Sequence, residues 1–98
     1  MMITLNTREG KRNYTIGYIS MLTVRRAMDL QERIDFEHIT PSQLDEIVDL
    51  VVEAYDGQFT RDEFYRGIPA KGFVRHLVGI LGEVIGLLVS AADEMGEP

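Results

Sequence analysis

The sequence contains no cysteine, and only three of its 98 residues are proline. Without cysteine it has no disulfide, no thiolate zinc site and no thiol nucleophile. No basic segment leads into an apolar stretch at its start, so we expect no secretory signal. Because domains typically contain about 50–250 residues, we predict one domain over residues 1–98.

Residues that could carry catalysis are also scarce. There is no phosphate-binding loop, and Gly79–Gly86 does not reproduce the GxGxxG dinucleotide fingerprint. His38 follows Asp35 and Glu37, but no second histidine stands at metal-ligand spacing. Ser90 lacks the sequence of a nucleophile elbow. We therefore predict that the protein is not an enzyme and has no catalytic residue, cofactor or metal site.

Positive charge is limited and unevenly distributed. The net charge of −6 and the pI near 4.8 argue against a nucleic-acid partner. Residues 1–26 hold five basic and one acidic side chain, net +4, and the remainder holds five basic and fifteen acidic ones, net −10. The charges either cover solvated helix faces or let the basic end of one copy pair with the acidic middle of another. The candidates for such pairing are Arg25, Arg26, Asp45, Glu46, Asp49 and Glu53.

The first 18 residues have the pattern of a β-hairpin. Ile3–Thr7 and Tyr14–Tyr18 alternate apolar and polar side chains. The connection between them, Arg8–Asn13, contains Gly10, which tolerates a positive φ. One face of this hairpin is predicted to carry Ile3, Leu5, Tyr14, Ile16 and Tyr18.

Two helix starts follow the hairpin in the predicted helical part, residues 20–92. Ser20 is a suitable N-cap for a first helix that runs to about Ile34. Thr40 and Gln43 match a capping box with Pro41 at the first helical position. The second helix is predicted to end at Asp56-Gly57.

A second capping box predicts a short third helix. Thr60 is its N-cap and Glu63 stands three residues later. Phe59 and Phe64 have the spacing of a hydrophobic staple, and Gly67 is predicted to end the helix.

The last predicted helix, about Ala70 to Ala92, is apolar on nearly every side and must be buried in protein or lipid. Its uninterrupted apolar part is shorter than the roughly 20 residues of a membrane span, and Glu83 interrupts it, so we predict no membrane partner. Gly79, Gly82 and Gly86 would allow another helix to approach closely, unless these glycines are incidental in a core helix. The predicted fold class is α+β, mainly α: a hairpin followed by about four helices, the last long and strongly apolar, and a flexible tail at 93–98.

The order and spacing of several segments resemble a known family, the small tail assembly chaperones of long-tailed phages and prophages of Gram-positive bacteria. The similarity runs from about Ile3 to Leu88, and its most characteristic segment is Tyr55–Gly67. The other segments that carry it are Ile3-Thr4-Leu5, Tyr14-Thr15, Ile19-Ser20, Arg25–Gln31, Ile34-Asp35-Phe36 and Leu44–Val52.

The resemblance implies a non-enzymatic protein that binds the tape-measure protein and keeps it soluble during tail assembly. It implies a longer, frameshifted form that recruits tail-tube subunits, and self-assembly into a homo-oligomer. It places the protein in the cytoplasm of the bacterial host and outside the mature virion.

We expect one apolar surface to serve both self-association and client binding. Its predicted residues lie on the last helix: Phe73, Leu77, Leu81, Val84, Ile85 and Leu88. Two alternatives remain open from the sequence. One is a structural tail or head–tail connector subunit of a phage, and the other is a small dimeric bacterial adaptor or regulatory protein.

Overall fold

A computed structural model describes the backbone of residues 2–96 and the side chains of residues 2–87. The chain is mainly helical and begins with one antiparallel hairpin, which confirms the predicted hairpin and four helices. Helix α4 extends beyond the predicted Ala92 and overlaps the predicted tail, of which residues 97–98 lie outside the described part. The elements are β1 (Met2–Thr7), β2 (Gly10–Thr15), α1 (Met21–Arg33), α2 (Pro41–Ala54), α3 (Arg61–Gly67) and α4 (Phe73–Gly96).

The hairpin connection is shorter than predicted. Thr7 pairs with Gly10, so only Arg8 and Glu9 lie between the strands, and the predicted connection Arg8–Asn13 is wrong. Gly10 has a φ of 109°, a conformation that glycine adopts without steric cost. This conformation lets strand pairing resume directly after the two-residue turn. The Thr7 hydroxyl supports the turn by donating to the Gly10 carbonyl oxygen at 2.6 Å.

The end of β2 also differs from the prediction. Met2 pairs with Thr15, so β1 offers no described partner to the residues after Thr15. The chain leaves the sheet there, and Tyr18 is 80% exposed instead of lying on the apolar face. Ile3 and Tyr14, which are paired across the strands, are buried as predicted.

Phe59 lies at the centre of an aromatic cluster that joins the hairpin to the helices. Its ring centroid is 5.0 Å from that of Tyr14, 5.5 Å from that of Tyr55 and 5.8 Å from that of Phe64. The Phe59–Phe64 contact confirms the predicted hydrophobic staple at the start of α3. Aromatic pairs at these distances add about 0.5–1.5 kcal/mol each beyond burial.

The predicted helix caps are all present. Ser20 caps α1, and its side chain accepts a hydrogen bond from the backbone N–H of Thr23. Thr40 and Gln43 exchange two hydrogen bonds of 3.2 Å in a complete capping box. The box at α3 has the same form, with distances of 3.1 and 2.9 Å. Local sequence therefore determines where these helices begin.

Gly67 lets the end of α3 contact β1. A Cβ at this position would lie 2.8 Å from the carbonyl oxygen of Asn6 and 2.9 Å from Cβ of Leu5. Only glycine fits at this separation, so Gly67 is a packing residue as well as the last residue of its helix. The main contacts between helices are those of α1 with α2 and α4, and of α2 with α3.

Candidate interaction surface

Helix α4 buries one side and exposes the other. Leu77, Ile80, Leu81 and Val84 are buried, and they belong to the core. The rest of the chain does not cover α4 on every side, because the packing of this helix within the chain is mainly against α1. Within the described part of the chain no helix combines the length and the apolarity that a membrane crossing requires.

The six residues predicted to form an interaction surface do not form an exposed face. Leu77, Leu81 and Val84 are at most 1% exposed. Phe73 and Ile85 are half-buried against the core, and the side chain of Leu88 lies outside the described residues. Within a single chain this set therefore belongs mostly to the core.

Other residues of α4 are exposed and apolar. Val74 is 40% and Val78 is 39% exposed, and the helical repeat places both on the same side as half-buried Ile85. We call these three residues the apolar flank. Sequence reasoning missed Val74 and Val78 because a helix apolar on most sides gives no signal of which side faces the core.

A glycine face lies beside the apolar flank. Gly79, Gly82 and Gly86 recur at helical spacing on the side of α4 away from its buried residues. A Cβ built at any of them meets nothing within 4 Å. Each glycine costs a helix about 0.5–1 kcal/mol relative to alanine. Packing within the described chain therefore does not account for these three glycines.

A cavity of about 380 Å³ lies between α4, the end of α2 and the start of β1. The side chain of Tyr55 is buried in its wall, and the Tyr55 hydroxyl makes no hydrogen bond within the described residues. Burial, and then the charge of Glu83, raise the pKa of Tyr55 to about 12. The cavity is lined by Met2, Tyr55, Gly72, Arg75, His76, Gly79, Ile80 and Glu83.

Most of the predicted charge-pairing residues form ion pairs within the chain. Arg26 of α1 donates to both carboxylate oxygens of Glu53 of α2, at 2.7 and 2.8 Å. Glu46 is 3.5 Å from Arg33, which also ties α2 to α1. Arg25 is exposed and makes no ion pair with the described residues. Pairing between copies stays a prediction.

The acidic side of α2 is joined to α3 by one arginine and one tyrosine. The Arg61 guanidinium donates to Asp49 at 2.8 and 2.9 Å and lies 3.5 Å from Asp45. The Tyr65 hydroxyl donates to Asp45 at 2.7 Å. Burial and this hydrogen bond raise the pKa of Tyr65. These contacts give Asp45 and Asp49 a structural role in the single chain.

The group considered as a metal site forms a local turn. Oxygen and nitrogen atoms of Asp35, Glu37 and His38 lie within 4.8 Å of one another, on exposed side chains. Asp35 accepts hydrogen bonds from the His38 ring at 2.9 Å and from the Glu37 backbone N–H at 3.0 Å. These two hydrogen bonds lower the pKa of Asp35, and the bond from His38 contributes most. The turn's own hydrogen bonds account for the cluster.

Comparison with known proteins identifies a family. A family model described as "Phage tail chaperone protein" matches residues 1–97, which include the hairpin and all four helices. No curated protein and no solved structure matches the chain.

Proposed function

Because the chain belongs to the phage tail chaperone protein family, we propose that it binds the tape-measure protein and keeps it soluble until the tail is assembled. The match over residues 1–97 is the observation that carries this proposal. A role in phage tail assembly follows from the family itself. The identity of the client, the absence of catalysis and the location in the host cytoplasm are part of the proposal.

We propose the apolar flank as the client-binding surface of α4. It presents Val74 and Val78 without any change in the fold. The buried residues Leu77, Leu81 and Val84 would become available only if α4 separated from α1. An exposed apolar surface is typical of a protein-binding site. Self-association through the same flank would cover it in the absence of a client, which supports the proposed homo-oligomer.

Co-expression with the tape-measure protein of the same phage tests the client and the surface together. Val78→Asp should reduce co-purification of the tape-measure protein at least tenfold, because it places a charge in an apolar contact. Leu22→Asp is the matched control, since Leu22 is 53% exposed on α1. Circular dichroism should show that both variants fold. If only Leu22→Asp prevents co-purification, the client binds α1 and the proposed surface is wrong.

Leu81→Asp would not locate the surface, because Leu81 is 1% exposed and a buried carboxylate would unfold the chain.

Mass spectrometry of purified virions separates the chaperone role from that of a structural subunit. We expect the protein to be absent from finished particles, and a fixed copy number there would refute the proposal.

Recruitment of tail-tube subunits by a longer frameshifted form is a further part of the proposal. Detection of that form in infected cells would support it.

A further inference from the structure

The cavity beside α4 has the buried Tyr55 in its wall and exposed residues at its edge. Tyr55 in its wall is 1% exposed, whereas Met2 at the edge is 59% exposed. Arg75, His76 and Glu83 line the cavity and are also exposed. The Tyr55 hydroxyl is itself buried, so an entering group contacts it only after these exposed side chains move aside, which they can do without disturbing the core.

The Tyr55 hydroxyl has no function in the packing of the described chain. Its ring contacts Phe59 at a centroid distance of 5.5 Å, and a phenylalanine would make the same contact. The hydroxyl is buried and lacks a hydrogen-bond partner within the described residues. Buried polar groups are almost always hydrogen-bonded, because an unsatisfied one lowers stability. A partner from outside the chain would remove this cost.

The glycine face provides a path for that partner. Gly79 belongs to this face and also lines the cavity. Because Gly79 has no side chain and a Cβ there would meet nothing within 4 Å, a helix that crosses α4 at this point can approach the backbone closely. A side chain of the crossing helix would then enter the cavity beside Gly79.

The polar residues that line the cavity determine which kind of side chain can bind there. The Tyr55 hydroxyl and the Arg75 guanidinium are hydrogen-bond donors, whereas the Glu83 carboxylate is an acceptor. Arg75 and Glu83 carry opposite charges, so the lining favours neither a cation nor an anion. A carboxamide satisfies both kinds of group, since its oxygen accepts and its NH₂ group donates.

We propose that this cavity receives an asparagine or glutamine side chain from a client helix that crosses the glycine face of α4. The inference rests on the proposed function, in which the client is the tape-measure protein. It adds to that function a polar contact that sets the position of the client helix, beside the non-specific contact of the apolar flank.

Binding of the purified tape-measure protein to Tyr55→Phe tests the contact. We expect affinity to fall roughly tenfold relative to the unmodified chain, the effect of losing one well-formed hydrogen bond. The melting temperature of the free variant should stay equal or rise, because an unsatisfied hydroxyl has been removed. Tyr18→Phe is the control: Tyr18 is 80% exposed, so both affinity and melting temperature should be unchanged.

The outcomes separate this inference from the proposed function. If the unmodified chain and Tyr55→Phe bind the tape-measure protein equally, the cavity contact is refuted and the chaperone role stands. If the unmodified chain does not bind, the proposed function fails and the inference fails with it. A fall in melting temperature of Tyr55→Phe would show that the hydroxyl serves folding, which also refutes the contact.

A second pair of variants tests the helix crossing. Gly79→Leu should weaken binding at least as much as Tyr55→Phe, because its side chain occupies the path of the client helix. Gly17→Leu is the control, since Gly17 also has open space around it and lies outside α4. Unchanged binding by Gly79→Leu would refute the crossing.

Overlapping synthetic peptides of the tape-measure protein identify the client residue. Peptides that discriminate the unmodified chain from Tyr55→Phe should each contain an asparagine or glutamine. Replacing that residue by leucine should remove the discrimination, so that the two changes together weaken binding no more than either alone. Discriminating peptides without an amide side chain would refute the proposed chemistry.

Discussion

At the scale of single residues, two helical glycines have different roles in this protein. Gly67 contacts β1 so closely that a Cβ would lie 2.8 Å from a backbone oxygen, whereas Gly82 has open space around it. The same residue type is therefore required by packing in α3 and not required by packing within the chain in α4. The glycine face is free to serve an external contact.

Substitution of these two glycines by alanine should change stability in opposite directions. We expect Gly67→Ala to lower the free energy of unfolding by about 1–3 kcal/mol, because the strand must move away. Gly82→Ala should raise it by about 0.5–1 kcal/mol through the higher helix propensity of alanine. Urea denaturation measures both. Equal effects of the two variants would contradict the packing role of Gly67.

Tyr55 makes the stability of the fold sensitive to alkaline pH. Burial and Glu83 raise the pKa of Tyr55 to about 12, from about 10 in an unfolded chain. The folded state therefore favours the neutral phenol, and its contribution to stability is complete below about pH 10 and is lost as the pH rises toward 12. Urea denaturation across this range should show a steeper loss for the unmodified chain than for Tyr55→Phe. Parallel curves for the two proteins would show that Tyr55 is not responsible.

At the scale of elements, α3 is a short helix that depends on its N-terminal cap. It contains only seven residues, and helices this short are marginal without caps and tertiary contacts. The capping box of Thr60 and Glu63 satisfies two of its backbone N–H groups. The staple between Phe59 and Phe64 adds apolar burial at the same end.

Removal of the Thr60 hydroxyl should therefore destabilise the whole domain. We expect Thr60→Ala to lower the free energy of unfolding by about 0.5–2 kcal/mol. Ser42→Ala is a control, because Ser42 is exposed within α2 and makes no side-chain hydrogen bond to the described residues. Thermal unfolding followed by circular dichroism measures both. If Thr60→Ala proves as stable as Ser42→Ala, the proposed role of the cap is contradicted.

At the scale of the whole molecule, ion pairs connect the acidic helix α2 to its neighbours. Arg26 and Arg33 of α1 and Arg61 of α3 each pair with acids of α2. The basic hairpin residues Arg8, Lys11 and Arg12 make no ion pair with the described residues. Among the ion pairs of the described residues, Arg26–Glu53 alone joins the basic first 26 residues to the acidic remainder, so most of the charge asymmetry of the sequence is kept in the fold.

Surface ion pairs of this kind should contribute little to stability. We expect Arg61→Ala to lower the free energy of unfolding only slightly, with a smaller effect at high salt. Phe64→Ala should lower it by about 3–5 kcal/mol, because Phe64 is fully buried. Urea denaturation at low and high salt measures both. An effect of Arg61→Ala that equals that of Phe64→Ala would contradict this ranking.

Local patterns in the amino-acid sequence were sufficient to predict most of the elements and the family of this protein. Capping boxes at Thr40 and Thr60, the staple of Phe59 and Phe64, and the alternation in the hairpin depend on neighbours within a few residues, so local patterns identify them. The resemblance to phage tail chaperones also came from the order of segments, and the family match over residues 1–97 agrees with it.

The side of α4 that faces the core could be identified only from the packing of the folded chain. In α4 both Leu81 and Val78 are apolar, so periodicity could not distinguish buried Leu81 from exposed Val78. The close approach at Gly67 and the unpartnered hydroxyl of Tyr55 depend on residues distant in sequence. Local patterns determine local hydrogen bonds, whereas burial and cavity shape arise from how whole elements pack together.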